Sequence, residues 1–178
     1  MKHIHAVIYI IAVLLANYTA TWFVPFPIFG QVAVGTVIFG ITFTQRDRMH
    51  RNGRRYVYAV IGLTALLAAL ESLLIDVPAR IIIASVTAII FAETADTEVY
   101  QRFIQHNWYT RVAASNAVSI PLDTLFFNMI AFYGVFPNSM LVSIMFGEIV
   151  VKALTSGGAA LWRSSTATHK TNVVQPSQ

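Results

Sequence analysis

The 178-residue sequence contains no cysteine, which removes disulfide frameworks, thiolate metal sites and thiol nucleophiles together. It is also short of charge. Only 11% of its residues are Asp, Glu, Lys or Arg, against about 25% in a typical soluble domain. A shortfall of that size means that most of the chain cannot face water. No phosphate-binding glycine loop, H-E-x-x-H pair or G-x-S-x-G elbow occurs, so the sequence carries no signature of an enzyme or of a bound cofactor.

What is present is apolar: 56% of residues are hydrophobic and the mean hydropathy is +0.63. Six stretches approach the roughly 20 residues needed to cross a bilayer. They run over Ile4–Val24, Ile28–Thr44, Tyr56–Ile75, Pro78–Tyr100, Arg111–Gly134 and Asn138–Trp162. The fold class expected is therefore an all-α integral membrane protein, a bundle of six transmembrane helices. Residues 1–162 form one transmembrane domain, and residues 163–178 read as a polar, disordered tail.

Charge placement orients the bundle. The formal net charge is +4, yet the positive residues sit in short segments between apolar runs rather than on a basic surface, which argues against nucleic acid. With six spans, ten of the twelve Lys and Arg fall on the side of both termini. Only Arg80 lies opposite, and Lys152 lies within a span. Both termini are expected in the cytoplasm. The arginine-rich segment TQRDRMHRNGRR, containing Arg46, reads as a connection whose role is to set topology.

Ionisable groups at depth cost about 2.5–3.5 kcal/mol each and mark function by default. Asn116, Ser119 and Asp123 repeat at three and four residues, which places them on one helical stripe. Glu93, Asp96 and Tyr100 repeat the same spacing on the fourth span. If those two helices face each other, the stripes meet across a shared cavity. Pro121 deprives the Ala117 carbonyl of its usual partner within the fifth span. The competing readings are interhelical hydrogen bonding for the first stripe and a solvated helix end for the second. Glu148 and Lys152, four apart with the acid first, read as a structural ion pair. Ala12, Ala16 and Ala20 form a small-residue ridge suited to packing against another helix. His50 and His106 fall in connections, and their spacing suggests no metal.

Three segments, Ile41-Thr-Phe-Thr-Gln-Arg-Asp47, Glu93-Thr-Ala-Asp-Thr-Glu-Val-Tyr-Gln-Arg102 and Ser115-Asn-Ala-Val-Ser-Ile-Pro-Leu-Asp123, resemble the queuosine-precursor transporter family, also labelled a vitamin uptake family. The resemblance covers roughly residues 28 to 134. It implies a compact inner-membrane importer of 7-deazaguanine bases such as 7-cyano-7-deazaguanine. It also implies that the acid-rich segment and the Ser-Asn…Asp segment form the solute site. The expected substrate-binding residues are Glu93, Asp96, Tyr100, Gln101, Asn116, Ser119, Asp123 and Phe127. A carboxylate suits the paired N–H donors of such a base, and Asn116 or Gln101 its carbonyl. Tyr100 or Phe127 suits its face.

Two alternatives accompany this expectation. One is a substrate-binding subunit for another nucleobase or vitamin, docked on a separate energy-coupling ATPase, for which the Ala12/Ala16 ridge is a candidate surface. The other is a non-transporting scaffold or holin, which has no use for an acid at the depth of Asp123. The partners expected are thus a nucleobase-like solute and the lipid bilayer, with room for a second copy or an energy-coupling protein.

Overall fold

The computed structural model describes the backbone of residues 3–26 and 30–171, and the side chains of residues 3–25 and 31–158. Six helices account for most of it: α1 (Ile4–Tyr18), α2 (Val34–Met49), α3 (Arg54–Leu74), α4 (Ala79–Arg102), α5 (Trp108–Phe132) and α6 (Asn138–Thr171). Local chemistry sets several of their ends. Gly53 precedes α3 at φ 93°, a left-handed conformation that a side chain disfavours. Pro78 sits directly before α4, where its missing N–H is no loss. The Asn107 side chain caps α5 by accepting the Thr110 N–H at 2.9 Å.

The helices close into a ring. α1 packs on α2 and α3, α3 on α4, α4 on α5, α5 on α6, and α6 returns to α2. Two glycines make the α2 contacts possible. A Cβ on Gly35 would overlap the Ala16 carbonyl oxygen of α1, and one on Gly40 would overlap Thr155 of α6. The alanine ridge is consumed in the same packing, since Ala12, Ala16 and Ala20 are all buried. The ridge therefore does not present itself to a separate docking partner here.

Large apolar side chains face outward as well as filling the core, and charged ones are buried. Leu154 is 70% exposed, and Leu66, Leu73, Ile83, Val142 and Phe146 also point outward, while Arg46 is 0% exposed. Glu93, Asp96, Asp123, Glu148 and Lys152 are buried as well. Two helical segments, Arg54–Leu74 and Asn138–Gly158, are long and apolar enough to cross a membrane.

Three elements differ from the sequence expectation. The join between the first two apolar stretches is a β-hairpin, β1 (Phe23–Phe26) paired antiparallel with β2 (Gly30–Ala33). Its strands satisfy their own backbone groups, and Phe23 packs edge-on against Phe132 and Phe136 at the end of α5. Second, α2 continues through Met49, so the arginine-rich segment begins as helix, and Arg46, Asp47 and His50 are buried. The reading of that segment as a mere connection is corrected. No Gly or Pro interrupts it before Gly53, and internal carboxylates repay the burial of Arg46. Third, α6 runs through Thr171 into the segment expected as a tail, and residues 172–178 lie outside the described residues.

Candidate functional site

Alternation of the helices gathers the end of α2, the start of α3, the end of α4 and the start of α5 at one end of the bundle. His3 is bonded to Tyr56 at 2.9 Å, His5 to Gln45 at 2.8 Å, and Arg54 to Glu98. Arg48, Arg51, Arg55, Arg102 and Arg111 belong to the same segments, so this end is basic. From it, polar residues descend the interior in three levels.

The first level is a vestibule lined by Asp47, His50, Arg51, Tyr100, Trp108 and Arg111, with about 220 Å³ of open space. His50 stacks on Tyr100 at 4.1 Å between ring centroids, and the Arg111 guanidinium lies 5.4 Å from the other ring's centre. The Gln101 amide donates to His50 Nδ1 at 3.0 Å, which leaves the ring proton on Nε2. Burial, then the nearby Arg46 and Arg111 charges, push the His50 pKa down to about 3. The ring is neutral at physiological pH.

The second level is an ion-pair layer. Arg46 Nη1 donates to Glu93 Oε2 at 2.7 Å, and Nη2 reaches Asp96 Oδ1 at 2.6 Å and Asn116 Oδ1 at 3.5 Å. The Ser119 hydroxyl donates to Asp96 Oδ1 at 2.9 Å, and the guanidinium lies 4.9 Å from the centre of the Phe43 ring. One buried cation thus ties α2 to α4 and α5. The stripes on α4 and α5 do meet, but the space between them is filled by an arginine from α2.

The third level lies further along α5 at Asp123, seven residues past Asn116 and four past Ser119, a rise of about 10 and about 6 Å. There Lys152 donates to Asp123 Oδ2 at 2.7 Å, Thr124 Oγ1 at 3.0 Å and Glu148 Oε2 at 3.4 Å. Asn128 Nδ2 donates to Glu148 Oε2 at 2.9 Å. Asp123, Glu148, Lys152, Asn17, Phe39 and Phe127 line a cavity here. Its open volume is about 30 Å³, room for one or two waters at ~10–15 Å³ each. A nucleobase-sized solute needs the surrounding helices to part.

The ten residues singled out in the sequence therefore fall into three groups. Glu93, Asp96, Asn116 and Ser119 converge on Arg46. Tyr100 and Gln101 serve the vestibule through His50. Asp123 and Phe127 line the inner cavity, and Asp123 joins the Glu148–Lys152 pair. Asp123 does not face the α4 acids directly. Sequence reasoning missed Arg46, Thr124 and Asn128; the uninterrupted helical run into Arg46 was the available signal for the first.

An outward-facing apolar shell surrounds buried acids and cations, and one comparison decides the family. Residues 4–161 match the family described as "Putative vitamin uptake transporter". The chain belongs to that family. No curated protein and no solved structure matches it. The vitamin uptake family match spans all six helices as far as residue 161, so it includes the vestibule, the ion-pair layer and the cavity. Membership supports a membrane transporter of a small solute over an enzyme.

Proposed function

We propose that this member of the uptake family imports a queuosine precursor, 7-cyano-7-deazaguanine or a related 7-deazaguanine base, across the cell inner membrane. All six helices cross, with both termini and the basic end in the cytoplasm. Support for the crossing comes from the apolar outer face, the buried charges and the family match. α1, at 15 residues, is only about 22 Å long, and the self-paired hairpin extends the wall where helix is missing.

One observation carries the choice of solute: Glu93 and Asp96 already hold a guanidinium inside the bundle. The aminopyrimidinone edge of a deazaguanine is a similar planar fork of adjacent N–H donors. Such an edge can take the place of Arg46 on the same carboxylates, with Asn116 and Ser119 satisfying its acceptors and Tyr100, one turn further along α4, its face. Arg46 then acts as the gate. It closes the ion-pair layer when the site is empty and gives way to a solute presenting the same donors. The base is neutral and satisfies the carboxylates by hydrogen bonding alone, so Arg46 must stay close enough to balance their charge while the solute is bound.

The test is rescue. A bacterium unable to make or import deazaguanines is given the gene and supplied with 7-cyano-7-deazaguanine, and its tRNA is assayed for queuosine. Restoration is expected with the native chain, and a drop of at least about tenfold with Glu93→Gln or Asp96→Asn. Normal rescue by both variants sinks the carboxylate docking. Absence of rescue despite confirmed insertion points to another solute.

A further inference from the structure

The inner cavity is built around a charge deficit. One cation, Lys152, serves two carboxylates, Asp123 and Glu148, and all three are buried. Lys152 is not shared evenly. It stands 2.7 Å from Asp123 and 3.4 Å from Glu148, and its three N–H bonds go to Asp123, Thr124 and Glu148. No donor remains on it. The Nδ2 of Asn128 is likewise spent on Glu148 Oε2 and on the Thr124 carbonyl oxygen, both at 2.9 Å.

The same asparagine gives the second observation. Asn128 is fully buried, and its Oδ1 acceptor has no hydrogen-bond partner among the described residues. Buried amide oxygens are ordinarily satisfied, and leaving one bare costs about 1–3 kcal/mol. The cluster therefore lacks one positive charge and one donor. A proton on Glu148 supplies the missing charge.

We propose that Glu148 carries an exchangeable proton and that passage of this proton through the cavity drives uptake of the solute. Glu148 faces Asn128 from α5 and Lys152 from its own helix, and Lys152 links it to Asp123. The cavity residues offered by the other helices are uncharged: Asn17 and Ala16 from α1, Thr36 and Phe39 from α2, Ser85 from α4. The nearest further charges belong to the Arg46 layer, whose α5 members Asn116 and Ser119 lie seven and four residues before Asp123. Glu148 rather than Asp123 takes the proton because Asp123 holds the close lysine contact. The step balances simply. The Glu148 carboxylate accepts a proton from hydronium on the outer side, giving a carboxylic acid and water, and returns it to water on the inner side. No electrons move.

Position links the proton to the solute. Asp123 and Phe127 border the same cavity as Glu148, so a base entering there displaces water from both groups at once. Neutralising Glu148 also frees Lys152 to stay with Asp123 while the helices part.

Two experiments decide the matter. The first needs no solute. In purified protein in lipid nanodiscs, infrared difference spectroscopy at neutral pH is expected to show the C=O stretch of a protonated carboxylic acid, lost in Glu148→Gln. Absence of that band in the native protein, or its survival in Glu148→Gln, overturns the proposal. The second rests on the solute reading above and uses proteoliposomes with labelled 7-cyano-7-deazaguanine. Exchange without any gradient establishes whether the solute is carried. An inward gradient of one pH unit then drives up to about tenfold accumulation for one proton per solute. Glu148→Gln is expected to equilibrate the base without concentrating it, and gradient-driven accumulation by that variant overturns the coupling. Failure of exchange in the native protein counts against the solute and leaves the infrared result to judge the proton.

Discussion

At the residue scale the interior depends on a few groups whose charge state is set by their neighbours. His50 is the plainest case, because it lies at the basic end of the bundle and carries no charge in the folded protein. Its pKa falls from 6.5 to about 3 through burial and through Arg46 and Arg111. Between those two values the unfolded chain binds a proton that the folded chain refuses. Stability therefore rises with pH across that window and is complete above about 6.5. Thermal unfolding in detergent is expected to show a loss on the order of 3 kcal/mol on going from pH 7 to pH 4. The loss shrinks in His50→Gln, which has no ring to titrate. An unchanged pH profile in that variant shows that the titrating group is elsewhere. Arg46 teaches a different lesson about what a sequence discloses. Positive charge near a helix end is the ordinary topology signal, and nothing in TQRDRMHRNGRR marks one arginine as different from the rest. What distinguishes Arg46 is the pair of acids on α4, 47 and 50 residues away in sequence. That partnership is tertiary and has no local signature.

At the scale of elements, helix number and approximate bounds were legible because the apolar runs are long and broken by polar or turn residues. The α4 and α5 stripes were legible because three-and-four spacing is the geometry of a helix face. The hairpin is hidden from hydropathy, since Phe23-Val-Pro-Phe26 is as apolar as a helix would be, although Pro25 marks the segment as a poor helix. The turning of Asp123 toward α6 was not legible, as it depends on Lys152 reaching it from another helix. The glycines of α2 show how closely those helices approach. A Cβ on Gly40 would overlap the side chain of Thr155, so Gly40→Ala forces α2 and α6 apart. The expected cost is about 1–3 kcal/mol, read as a lower melting temperature in detergent. Combining it with Thr155→Gly removes the obstructing side chain and recovers part of the loss, less about 1 kcal/mol for a glycine within a helix. No recovery in the double variant argues that the contact is not what limits Gly40.

At the scale of the whole molecule the levels line up along one axis: basic vestibule, arginine layer, lysine cavity, and then the aromatic contacts of the hairpin with α5 at the far end. A carrier needs its solute site reachable from each side in turn, and here the Arg46 layer separates the cavity from the basic mouth. Which side that layer gates depends on which way the basic end faces. The absence of cysteine makes the orientation directly measurable, because every introduced thiol is the sole target for a maleimide. Arg51→Cys lies in the vestibule, and Asp76→Cys lies between α3 and α4 at the opposite end. In intact cells a membrane-impermeant maleimide is expected to label Asp76→Cys readily and Arg51→Cys only after permeabilisation. The reverse pattern would invert the molecule, placing the arginine layer at the outer gate. Equal labelling of both sites without permeabilisation would be harder on the reading, since it removes the membrane barrier between the two ends of the bundle. The expected asymmetry also gives the direction in which the proton proposed for Glu148 is loaded and released.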